Sequence, residues 1–65
     1  MTAIARHPRY TAYLSRTAPS RLDSGGYDWS VTDESTGLVV RQGWCAGPSS
    51  DAAAEARLAI EELGS

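Results

Sequence analysis

The sequence predicts a small α+β domain, a three-stranded antiparallel sheet with one C-terminal helix packed on one face. Three observations predict it. Residues 50 to 63 are alanine-rich and repeat their apolar positions at helical spacing, residues 27 to 32 alternate apolar and polar, and residues 38 to 44 form a second β-rich run.

In chain order, residues 1 to 8 contain no apolar run, being broken by Arg6, His7 and Pro8, and read as a flexible basic arm with no signal-peptide character. Residues 9 to 16 carry a double pattern. Tyr10, Ala12 and Leu14 fit a strand, whereas Tyr10, Tyr13, Leu14 and Thr17 fit a helix opened by Pro8. Two strands alone seldom hold a sheet, which favours the strand. Thr17 to Gly26 is then a loop rich in Ser, Pro and Gly.

Tyr27-Asp28-Trp29-Ser30-Val31-Thr32 alternates with aromatic and β-branched residues, so Tyr27, Trp29 and Val31 are expected to face the helix. Asp33-Glu34-Ser35-Thr36-Gly37 reads as a hairpin loop, with Gly37 suited to positive φ. In the next strand Val40 and Trp44 are expected on the helix side, unless Gly43 marks a bulge that changes the phase. The helix, Ser50 to Leu63, has Pro48 as a stop before it and Ser49, Ser50 and Asp51 as cap and first-turn acid. Ala52, Ala56, Ala59, Ile60 and Leu63 make its apolar stripe, and Gly64 stands where a C-cap belongs.

All 65 residues make one domain. A chain of this size buries only about 60 % of its unfolded surface, so the core must be simple. Cys45 is the only cysteine, which excludes an internal disulfide and fits a reducing compartment, and with His7, the only histidine, it cannot fill a four-ligand zinc site. No cofactor motif is present: Gly25-Gly26 is followed by no Gly-Lys-Ser/Thr of a phosphate loop. Nothing approaches the roughly 20 apolar residues of a membrane span. A Cys45–His7 nucleophile pair has no third group to orient it, and the simpler reading of Cys45 is a small buried apolar residue. The chain is therefore expected not to be an enzyme.

Charge is segregated. Residues 1 to 22 carry Arg6, Arg9, Arg16 and Arg21 and no acid, hence +4; residues 23 to 65 carry all 8 acids against Arg41 and Arg57, hence −6. The topology gathers Asp33, Glu34, Glu61 and Glu62 at one end and sets Asp51 and Glu55, with Asp23 and Asp28, at the other. Glu61 and Glu62 stand in the last helical turn, where the macrodipole disfavours anions by about 0.3–1 kcal/mol each. The plain reading is a solvated acidic face, with Arg57 paired to Glu61. The functional reading is that spaced carboxylates imitate a phosphate backbone in a basic groove.

Two resemblances bear on this choice. Tyr27 to Leu63 resembles the C-terminal part of a double-stranded-RNA-binding domain, through Tyr27, Trp29, Val31, Gly37, Gly43, the serine cap and the alanine-rich helix. Where such domains hold a lysine pair at the helix start, this chain has Ser50, Asp51, Ala52 and Ala53, so the topology is kept and RNA binding is not expected. As a whole frame, from Met1-Thr2-Ala3-Ile4-Ala5-Arg6-His7 to the acidic helix, the chain resembles the small phage-encoded anti-CRISPR proteins, type I-C inhibitors among them. That resemblance implies a monomeric, non-enzymatic inhibitor in the host cytoplasm. It would bind a basic DNA-accepting groove on a Cascade-type CRISPR-Cas effector through Asp33, Glu34, Asp51, Glu55, Glu61 and Glu62, without touching nucleic acid or membrane itself. Two alternatives stay open: an interaction module anchored by Tyr10, Tyr13, Trp29 and Trp44 on the uncovered sheet face, and a nucleic-acid binder led by the N-terminal arginines.

Overall fold

A computed structural model describes residues 2–17 and 25–64, in which four strands are followed by one helix. The strands are β1 (Thr2–Arg6), β2 (Tyr10–Thr17), β3 (Gly26–Asp33) and β4 (Leu38–Cys45), and the helix is α1 (Ser49–Gly64). They form one antiparallel sheet in the order β1-β2-β3-β4, each strand beside its sequence neighbour. The sheet thus has four strands where three are expected, and Thr2–Arg6 is an edge strand instead of part of a basic arm. Of residues 9 to 16, Tyr10 onward are strand, and Arg9 lies in the turn before it. The loop expected over 17 to 26 lies, for residues 18–24, outside the described residues.

The extra strand exists because Ile4 and Ala5 have a core to pack against. A two-residue turn folds β1 onto β2: the His7 N–H donates to the Tyr10 carbonyl at 2.8 Å, and the Tyr10 N–H returns to the His7 carbonyl at 3.1 Å. Between them stand Pro8 and Arg9, neither at positive φ, so this is not one of the glycine-dependent hairpin turns. The β3–β4 turn is of the expected kind. Gly37 has φ 75° and its N–H donates to the Asp33 carbonyl at 2.7 Å.

Strand alternation sorts the side chains onto two faces. Tyr10, Ala12, Leu14, Trp29 and Val31 lie under α1, and Thr11, Tyr13, Ser15, Thr17, Asp28, Ser30 and Thr32 lie on the open face. The core is Ala12 and Val31 from the sheet against Ala56, Ala59 and Ile60 from the helix, flanked by Ile4, Ala5, Tyr10, Trp29 and Leu63. Helix alanines have no side chain beyond Cβ, so α1 can lie close to the strands. Ala12, Val31 and Ala56 are wholly buried.

Each edge strand carries one register shift. On β1 it falls between Ala3 and Ala5; on β4 Arg41 stands opposite Val31 but Val39 opposite Thr32, so Val40 is the extra residue. The shift therefore sits at Val40 and not at Gly43. It turns Arg41, Gly43 and Cys45 toward the helix, and Val39, Gln42 and Trp44 toward the open face. The expected placement of Val40 and Trp44 is corrected accordingly: Val40 is 41 % exposed at the bulge, and Trp44 is 46 % exposed on the face away from α1. Bulged edges pair poorly with other chains, which protects a sheet that keeps two free edges.

Candidate functional site

The six carboxylates named from the sequence do not form one group. Asp33 is buried and committed inside the molecule. It accepts from Arg9 Nε and Nη2 at 3.1 and 2.9 Å, and from the backbone N–H and hydroxyl of Ser35 at 2.9 and 2.6 Å. The Arg9 guanidinium first, and Ser35 after it, hold the Asp33 carboxyl down to about 2. This pair staples the β1–β2 turn to the β3–β4 turn, beside a bond from the Glu34 N–H to the Arg9 carbonyl at 2.8 Å. Glu34 is exposed at the hairpin tip, with the Tyr13 hydroxyl 3.4 Å from its carboxylate.

On α1 the acids separate into two sets. At about 100° per residue, Asp51, Glu55, Leu58 and Glu62 fall within about 60° of one another around the axis. Contacts with β4 confirm that this stripe borders that strand. Glu55 accepts from the Cys45 thiol, and Glu62 lies 3.4 Å from Arg41. Asp51, one turn before Glu55, lies against Gly47, where an added Cβ would stand 2.6 Å from its carboxylate. Asp51, Glu55 and Glu62 thus make a row about 16 Å long on the flank between α1 and β4, with Leu58, 56 % exposed, between the last two. Glu61 projects from the outer side of the helix. Among the described residues the ion pairs are Arg9–Asp33 and Arg41–Glu62, and the expected Arg57–Glu61 pair is not one of them.

Cys45 lies beside the middle of α1, at Glu55, and His7 beside its C-terminal end, at Gly64. The Cys45 thiol is pushed up to about 11, first by its hydrogen bond to the Glu55 carboxylate and then by burial, so it stays protonated near neutrality. The His7 ring lies against Gly64, where an added Cβ would meet Nε2 at 2.7 Å. About nine residues of helix, or roughly 13 Å, separate the two groups, too far for a nucleophile and its base. Among the described residues no set of three or more His, Cys, Asp or Glu is placed to hold a metal ion, and no helix is long and apolar enough to cross a membrane.

The open face joins Trp44 to two polar groups, Thr17 and Asp28. Trp44 reaches across β3, its indole over Gly26, and Nε1 donates to Thr17 Oγ1 at 3.1 Å; the Thr17 hydroxyl donates in turn to Asp28 Oδ2 at 2.7 Å. Beside them lies a cleft of about 610 Å³ whose lining includes Tyr13, Asp28, Trp29, Ser30, Gln42 and Trp44. Of the four aromatic anchors expected on this face, Tyr13 and Trp44 are there, while Tyr10 and Trp29 pack under the helix. Alternation in 27 to 32 already places Asp28 and Ser30 opposite Trp29; the bulge at Val40 hid the face of Trp44.

The N-terminal arginines are dispersed. Arg9 is held by Asp33, Arg6 stands opposite Thr11 at the turn end of the open face, and Arg16 stands opposite Tyr27 on the helix side at the other end. Arg21 and Asp23 lie outside the described residues. Compared with protein-family models, curated proteins and solved structures, the chain matches none.

Proposed function

We propose that this protein works without catalysis, as an inhibitor that sets carboxylates against a basic, DNA-accepting surface. The observation that carries the reading is the row of Asp51, Glu55 and Glu62 along the α1–β4 flank. Three anions over about 16 Å are sparser than the phosphates of one DNA strand, which recur every ~3.4 Å along the axis, so the row would copy a few phosphates and not a duplex. Glu34 and Glu61, exposed elsewhere, extend the negative field and steer approach. Asp33, engaged by Arg9 and Ser35, is left out of the contact surface. The resemblance to anti-CRISPR proteins supplies the partner to test, a type I CRISPR-Cas surveillance complex in the cytoplasm of a phage host.

Charge reversal on and off the row tests the reading. Asp51→Arg and Glu62→Arg change exposed side chains and should leave the domain folded, since such changes usually cost within about 0.5 kcal/mol. Each should weaken capture of the purified complex by at least about tenfold, because the new cation meets a partner cation in a partly desolvated contact. Glu61→Arg, on the outer side of the helix, should cost less, and added salt should weaken all binding as screening shortens from about 10 Å at 0.1 M. Full binding and full inhibition by both row reversals would remove the carboxylates from the mechanism.

A further inference from the structure

We infer that the open face of the sheet carries a binding site for the guanidinium of an arginine side chain on a protein partner, built by Trp44 and Asp28. The two residues stand directly opposite each other on β4 and β3. The Trp44 indole is fixed in place, Cζ2 and Cε2 lying over Gly26 and Nε1 tied to Thr17 at 3.1 Å. The residue is 46 % exposed, which leaves part of the ring open to a ligand. Asp28 uses Oδ2 to accept from Thr17 at 2.7 Å, and among the described residues Oδ1 has no partner. A planar cation lying over the indole, within about 6 Å of the ring centroid, would reach Oδ1. Arginine makes both contacts at once, by stacking its plane and donating from its edge, which the compact lysine ammonium does less well.

The lining selects against other occupants. Among the described residues no arginine lines the cleft and one carboxylate does, which disfavours a phosphate or a nucleic-acid backbone. A second copy packed face to face would bring Asp28 against Asp28 in a partly desolvated contact. Ser15, Ser30 and Gln42, whose side chains make no hydrogen bond among the described residues, can bond the backbone on either side of the arginine. At about 610 Å³ the cleft has room for one side chain and its flanking peptide. The site is independent of the α1–β4 carboxylates, which belong to the other side of the sheet.

Titration of the whole protein with the blocked peptide acetyl-Gly-Arg-Gly-amide, followed by the two indole N–H resonances, tests the assignment. The Trp44 signal should shift saturably with a dissociation constant of about 1 mM, and by more than that of Trp29, whose ring packs on the helix side. The same peptide with citrulline, which keeps the shape and loses the charge, should bind at least about tenfold more weakly. Asp28→Asn, which preserves an acceptor for Thr17 and so the fold, should lose most of the binding, as should Trp44→Ala. Asp51→Arg and Glu62→Arg should bind the peptide as the unaltered protein does, whatever they do to the inhibitor reading. Equal binding of the citrulline peptide, no shift at Trp44, or a larger shift with free L-arginine or with maltotriose would overturn the proposal.

Discussion

Both faces of the sheet hold a tryptophan laid across a glycine of the neighbouring strand, but only one of the two is under the helix. Trp29 covers Gly43 on the α1 side, where an added Cβ would lie 2.6 Å from three indole atoms. Trp44 covers Gly26 on the open side, where an added Cβ would lie 2.8 Å from the ring and run into the Cys45 carbonyl oxygen. The motif is the same and its surroundings differ. Trp29 is clamped between sheet and helix and contributes apolar burial. Trp44 has half its surface in water and is oriented by one hydrogen bond to Thr17. Packing energy is thus concentrated on one face, and the other keeps an aromatic plane in a fixed pose without hiding it.

That difference can be broken most directly by removing each ring. Trp29→Ala should cost about 3–5 kcal/mol, which matches the whole stability expected of a core this small and should unfold the chain at 25 °C. Trp44→Ala should cost about 1 kcal/mol, because half its surface is already in water. Urea midpoints measure both, and equal losses would mean that the open face is a second core.

A smaller effect sharpens the comparison. Gly43→Ala should cost about 1–3 kcal/mol, since the new methyl meets an indole that has nowhere to go. In a Trp29→Leu background that penalty should largely disappear. Gly26→Ala should keep its penalty in a Trp44→Ala background, because its nearest obstacle is the backbone carbonyl of Cys45. A double-mutant cycle for each pair reads the coupling; rescue of Gly26→Ala by Trp44→Ala would show that the two contacts are alike after all.

The smallest expected effect concerns acid, and it lies outside both tryptophan sites. The Asp33 carboxyl is held at about 2 in the folded protein, below its ordinary value of 3.8. The unfolded chain therefore takes up the proton first as pH falls. Stability from the Arg9–Asp33–Ser35 cluster is full above about pH 5, declines below pH 4 and is gone once pH passes below about 2. Urea midpoints measured from pH 6 to pH 2 should fall less steeply for Asp33→Asn than for the unaltered protein. A parallel decline in the two would assign the acid sensitivity to other carboxylates.

Local chemistry accounts for what could be read directly. The alanine stripe and the Pro48 stop specify a helix wherever the chain goes next, and Ser49–Gly64 is helical, so that the serines and the glycine read as its caps lie within it. Alternation over 27 to 32 and the positive φ of Gly37 are equally local, and both occur as read. The first strand was illegible for a physical reason. Thr2–Arg6 has a bulge in its middle and a Pro8–Arg9 turn behind it, so neither a clean two-residue period nor a glycine hairpin signal marks it.

The site divides along the same line. Residue types and helical spacing were enough to put Asp51 and Glu55 on one stripe, because that follows from about 3.6 residues per turn. They could not show that Asp33 is spent on Arg9, since the two are 24 positions apart and meet only when two turns are brought to one end of the sheet. Nor could they show which way Trp44 points, because one extra residue at Val40 reverses every side chain that follows it in β4. Elements whose causes lie within a few residues follow from local chemistry alone. The number of strands, the face of Trp44 and the company each carboxylate keeps were decided only by the tertiary structure, because each depends on a register or a contact between segments that are distant in the chain.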